Sequence, residues 1–169
     1  VSFGLAAMTY TSQNLGAGNT KRAIGTFWRL LVINSIIGAV GLVLMNVFLE
    51  PISWLFANSA EGYNREFQEL IMHVFRYESL GGCIPLGINS ACMALLFGFG
   101  KTKLTLVSNF SRVFVFRIPI LWALQNLTDI GSESVGIVMA ASNTLTAMLS
   151  FTIAMIVLRQ VKKESREKK

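Results

Sequence analysis

The sequence predicts an all-α fold, a polytopic bundle of transmembrane helices, and three observations predict it. Of 169 residues, 53% are hydrophobic and only 14% are charged, where a soluble domain carries about 25%; the mean hydropathy is +0.55. Three stretches hold no Asp, Glu, Lys or Arg: Leu30–Leu49, Ser79–Gly100 and Ser134–Leu158. Each reaches the roughly 20 residues that a helix needs to cross a hydrocarbon core about 30 Å thick. The basic residues gather at the ends of such stretches and on alternate loops. Together these features exclude a disordered chain, a disulfide scaffold and a water-soluble enzyme.

Five helical elements follow in order. Val1–Leu15 is apolar but too short to span, and no basic segment precedes it as in a signal peptide. It reads as the tail of a helix whose start is missing, which makes the chain a fragment. Thr26–Leu49, about Ile71–Phe99, about Lys103–Leu127 and Ser134–Leu158 are full spans. The fourth carries Arg112 and Arg117, so its first third is expected at an interface, where long Arg side chains snorkel. The organisation expected is a membrane bundle over residues 1–158 and a basic tail over 159–169.

Charge orients the spans. Lys21, Arg22, Arg29, Lys101, Lys103, Arg112, Arg117 and the tail Arg159–Lys169 supply thirteen of the 15 basic residues. All fall on one side if the spans alternate. The other side receives the Glu50–Glu69 loop, with four Glu and one Arg, and the turn Asp129–Glu133. Excess Lys and Arg mark the cytoplasm, so the first and third loops and the C-terminus are expected inside, in the plasma (cell inner) membrane. The net charge of +6 is then a topology signal and an affinity for membrane lipid, not a nucleic-acid footprint.

No reaction chemistry is legible. Cys83 and Cys92 lie nine positions apart, on opposite faces of one helix, and cannot bridge. His73 has no second ligand nearby for a metal. None of the usual nucleophile, zinc or phosphate-loop motifs occurs. The expectation is no enzyme, no metal, no cofactor and no nucleic acid. The sequon at Asn126 is read as chance.

Small and polar residues recur at helical spacing inside three spans: Asn34, Gly38 and Gly41; Glu78, Gly82, Pro85, Asn89 and Cys92; Gly136, Ala140, Asn143, Ala147, Ser150 and Ala154. In lipid such stripes mark helix contacts, through close backbone approach and interhelical hydrogen bonds. The middle stripe holds more than packing requires. Pro85 removes a backbone donor and is expected to kink the span among Gly81, Gly82 and Gly87. Polar groups at mid-depth beside a broken helix mark transport sites. Asn89 and the single intramembrane acid, Glu78, are therefore candidates, with Asn34 and Asn143 beside them; a structural pair of Glu78 with Arg76 is the competing role.

Four segments carry a family resemblance: Ser12–Ala23 (SQNLGAGNTKRA), Leu95–Thr105 (LLFGFGKTKLT), Phe116–Leu124 (FRIPILWAL) and Gly136–Ser142 (GIVMAAS). Taken in order, they resemble motifs of the MATE (multidrug and toxic compound extrusion) transporters. The first resembles the loop after the second helix of a half-repeat, and gives Gly16 and Gly18 a family-motif role. The resemblance implies two six-helix bundles, of which this chain holds helices two to six, most in keeping with the C-terminal one. It also implies export of drugs or organic cations in exchange for protons or sodium, and the missing N-terminal half as partner. The family's Trp after the Gly-Ile of the last motif is replaced here by Val138-Met139. Where some members carry a coupling acid, this chain reads Ile88-Asn89-Ser90. A lipid-linked saccharide flippase of the same superfamily and a non-transporting membrane subunit are the alternative functions.

Overall fold

A computed structural model describes residues 2–59, 62–127 and 134–167. The elements are α1 (Ser2–Gly16), α2 (Thr20–Ala57), α3 (Arg65–Gly98), α4 (Thr102–Phe110), a π-helical turn (Ser111–Arg117), α5 (Ile118–Leu127) and α6 (Ser134–Glu167). A two-stranded hairpin, Asn58–Ser59 with Gly62–Tyr63, joins α2 to α3. Each expected span is present. Among the described residues four helical segments, with α4 to α5 counted as one, are long and apolar enough to cross a membrane. The turn expected at Asp129–Glu133, with Gly131, lies outside the described residues.

The helices overrun the apolar stretches because polar ends propagate them. α2 begins at Thr20 and continues through Pro51 to Ala57. α3 begins six residues before the expected start, where the Asn64 side chain accepts a hydrogen bond from the Phe67 N–H at 3.0 Å. That cap satisfies one of the unpaired donors of the first turn. A hydrogen-bonded cluster closes the same end. Gln68 donates to Ser53 Oγ at 3.2 Å, Ser53 donates to the Glu50 carbonyl at 2.8 Å, and Tyr63 bonds Gln68 Oε1.

The fourth span departs from a regular helix. Between α4 and α5 the bonding widens to i→i+5, as in the bond from the Ile118 N–H to the Val113 carbonyl. Pro119 stands just beyond, with no N–H to give back to the preceding turn.

α3 runs through the middle of the bundle, packed against α2 on one side and α6 on the other. In the most apolar stretch of α3 and of α6, 44% of residues are buried, against 11% in α2 and in the α4–α5 segment. The latter two present broad apolar faces, among them Ile36, Val40, Val43, Val47, Leu106, Phe114 and Trp122. The core is built from Ala7, Phe27, Leu30, Ala91, Cys92, Ala94, Leu95, Ala154 and Leu158. Ala and Cys on the α3 and α6 faces keep the axes close, and Phe27 with the leucines fills the remaining space. Cys83 and Cys92 are both free thiols.

Candidate functional site

Two places in the bundle differ in character, one polar and one apolar. The first is a buried relay across three helices. Ser150 on α6 donates to Asn89 Oδ1 on α3 at 2.7 Å, and Ser108 on α4 lies 2.6 Å from Ser150 Oγ. Since the Ser150 proton goes to Asn89, the second bond has Ser108 as donor. Ser108 and Ser150 have no exposed surface, and Asn89 is 7% exposed. Asn34 makes a separate link, donating from α2 to the Gly87 carbonyl of α3 at 3.2 Å. Each bond satisfies a group that would otherwise face hydrocarbon.

The second place is a cavity of about 390 Å³ between α2, α3 and α6, lined by Leu31, Pro85, Ile88, Thr144, Ala147, Met148 and Phe151. Its walls expose no polar surface. Thr144 spends its hydroxyl on the Ala140 carbonyl at 2.8 Å. A wider depression of about 640 Å³ opens between α3 and α6, lined by Tyr77, Leu80, Gly81, Ile137, Ala140, Ala141, Thr144 and Leu145.

The structure thus brings only some of the candidates together. Pro85 forms part of the cavity wall. Asn89, one residue from the cavity-lining Ile88, is turned into the relay instead. Glu78 is half-buried on α3, and Arg76 is exposed; among the described residues they form no ion pair with each other. The ion pair found near this end joins Arg65 Nε to Glu69 Oε1 at 2.9 Å on the exposed first turns of α3. Asn143 is 5% exposed on the buried face of α6. The stripe on α6 is that buried face: Gly136, Asn143, Ala147, Ser150 and Ala154 are all buried. Ser108 has no place in those stripes; Thr105 and Ser108, small polar residues three apart, are its signal.

Gly16 and Gly18 also separate. Gly16 ends α1, and a Cβ there would meet nothing within 4 Å. Gly18 has φ +74°, the left-handed region. The Asn19 N–H bonds the Asn14 carbonyl at 2.8 Å and the Gly18 N–H bonds the Leu15 carbonyl at 3.0 Å, a Schellman closure. The same closure recurs after α3. Gly100 has φ +69°, the Lys101 N–H bonds the Leu96 carbonyl at 2.8 Å, and the Gly100 N–H bonds the Phe97 carbonyl at 2.9 Å. The two turns read GAGNTK and GFGKTK, a repeat visible once both are laid side by side.

The bundle resembles a solved structure described as the inward-facing conformation of a multidrug resistance MATE family transporter of the MOP superfamily. The TM-score is 0.86 at 16% sequence identity, over 95% of this chain and 36% of that one. The chain therefore spans about a third of that transporter's length. No curated protein matches the sequence. The MatE family model matches residues 1–123, most of the chain. The chain accordingly belongs to the MatE family of membrane transporters.

Proposed function

We propose that this chain is part of a secondary transporter that exports drugs or organic cations by proton or sodium antiport, and that the cavity beside Pro85 takes the apolar body of the substrate. The cavity carries the reading. A partly open apolar recess of about 390 Å³ between α2, α3 and α6 suits an aromatic or aliphatic solute. A wall of Leu31, Ile88, Met148 and Phe151 adapts to many shapes, because methionine is flexible and polarizable. Glu78 is the carboxyl group nearest the middle of α3, and exchanging its proton would couple transport to the gradient. Asn89 and Asn34 act by holding the helices that shape the cavity.

In this reading the protein sits in the plasma membrane with the turns at Gly18 and Gly100 and the C-terminus in the cytoplasm. The pathway is completed by the other half of the transporter. A flippase for lipid-linked saccharides is disfavoured by the absence of polar surface on the cavity wall, since a sugar-phosphate headgroup needs hydrogen-bonding partners.

The experiment is efflux of ethidium by the full-length transporter in proteoliposomes under an imposed proton or sodium gradient. Phe151→Ala with Met148→Ala should raise the half-saturating ethidium concentration several-fold. Glu78→Gln should flatten the pH dependence of efflux. Unchanged saturation in the first variant and an unchanged pH profile in the second would refute the two assignments in turn.

A further inference from the structure

Two buried side-chain nitrogens among the described residues lack a hydrogen-bond partner: Nε of Arg112 and Nε of Arg117. Both belong to the π-helical turn Ser111–Arg117. Neither makes an ion pair among the described residues. The nearest charges before them on the same segment are Lys101 and Lys103, also cations. Both arginines are half-buried, so the stem and Nε are covered while the rest of each guanidinium is reachable.

The π turn decides how the two sit. In an α-helix, residues five apart face well-separated directions. Widening to i→i+5 bonding sets them close to one line along the axis. Two guanidinium groups are thereby gathered on one side of the segment, where their charges repel. Placing a cation in hydrocarbon is costly without a partner, and such residues are relieved by snorkelling or by polar groups drawn into the bilayer. Side chains on a helix lean toward its N-terminus. Here that is the end marked by Lys101 and Lys103. An arginine that docks end-on uses its two terminal nitrogens, and this fork matches the oxygens of phosphate in two places at once. With Nε covered, the two terminal nitrogens of each guanidinium are the donors that a phosphate reaches.

We propose that Arg112 and Arg117 form a phosphate site on the π turn, bridged by one phosphate group, and that an anionic membrane lipid supplies it from the leaflet on the Lys101 side. A phosphate monoester or inorganic phosphate presents the same oxygens, and the experiment separates the two sources. This site is independent of the cavity and of the antiport reading.

The test is native mass spectrometry of the full-length protein with phosphatidylglycerol, beside thermal unfolding in detergent with inorganic phosphate added. Wild type should retain one phosphatidylglycerol more than Arg112→Gln with Arg117→Gln, whose affinity for it should fall at least tenfold. The Arg112→Lys with Arg117→Lys variant should fall between them, because lysine keeps the charge and loses the fork. Lipid retention that is lost in the Gln variant and is insensitive to inorganic phosphate supports the lipid source. A rise in Tm with inorganic phosphate, present in wild type and absent in the Gln variant, supports the soluble source. Equal retention and equal phosphate response in wild type and both variants would overturn the site. If the Gln variant does not fold, wild type alone decides. Phosphatidylglycerol should raise its Tm above that in a phosphate-free galactolipid, and equal Tm in the two lipids would overturn the proposal.

Discussion

Gly81 and Ala140 bring α3 and α6 to backbone contact: a Cβ on Gly81 would stand 2.1 Å from the Ala140 Cα and 2.6 Å from its carbonyl oxygen. No side-chain rotation relieves such a clash, so the helices must part. Gly81→Val should therefore cost at least the roughly 1–3 kcal/mol typical of overpacking. The neighbouring Gly82 faces open space, where a Cβ would meet nothing within 4 Å. Gly82→Ala should be neutral or stabilising by up to about 1 kcal/mol through helix propensity. Thermal unfolding of the purified protein distinguishes the two; equal losses would mean that the close approach is not what Gly81 provides.

Ser150 sits between two partners and Ser108 at the end of the chain of bonds. Ser150→Ala leaves Asn89 Oδ1 without its donor and is expected to cost about 1 kcal/mol, within the range measured for interhelical bonds in membranes. Ser108→Ala removes only the outer bond and should cost less. Because the residues act together, the double variant should lose less than the two single losses added. Strict additivity in Tm would show that the hydroxyls act independently.

At Gly18 any side chain has to adopt φ near +74°, a conformation that costs an L residue about 1–2 kcal/mol. Gly18→Val should lower Tm and transport of the full-length protein, whereas Gly16→Ala, in open space at the end of α1, should leave both unchanged. The same contrast holds between Gly100→Val and Gly16→Ala. Comparable transport by all three at matched expression would remove the conformational role.

The side of the membrane is tested by labelling. With a single cysteine introduced at position 21 or 101, a membrane-impermeant maleimide should react only after the cells are opened. At position 62, in the hairpin between α2 and α3, it should react in intact cells. Labelling of position 101 from outside would reverse the orientation that the basic residues assign.

How much of this is legible in the sequence follows from range. The spans are readable because burial in lipid needs an apolar run, and the run is a local property. The helix ends are less so: the start of α3 is set by the Asn64 cap and not by hydropathy. The π turn does not show in the hydropathy of Lys103–Leu127, which reads as one helix, although Pro119 and the two arginines all lie in that stretch. In the interior, the stripe on α6 announces a packed face, and Ser150 is in it. Its partner Ser108 lies on another helix, and pairing across 42 positions leaves no periodic mark. Asn89 reads from its spacing as a polar contact on a path; it is instead tied to Ser150, because a buried amide in lipid is held by whatever hydroxyl lies within reach.

The repeated turns at Gly18 and Gly100 also bear on the order in which the chain assembles. Each joins two helices through three residues, so α1 meets α2 and α3 meets α4 as soon as the second of each pair emerges, with little loop-closure entropy to overcome. α6 comes last among these helices, and it supplies one wall of the most buried pair, with Ala140 against Gly81 and Ser150 against Asn89. Until residues 134 onward have been synthesised, that face of α3 is open to lipid. A ribosome halted before Ser134 would hold two finished hairpins and an unsealed interior, the state in which a membrane chaperone or a protease has most to grasp.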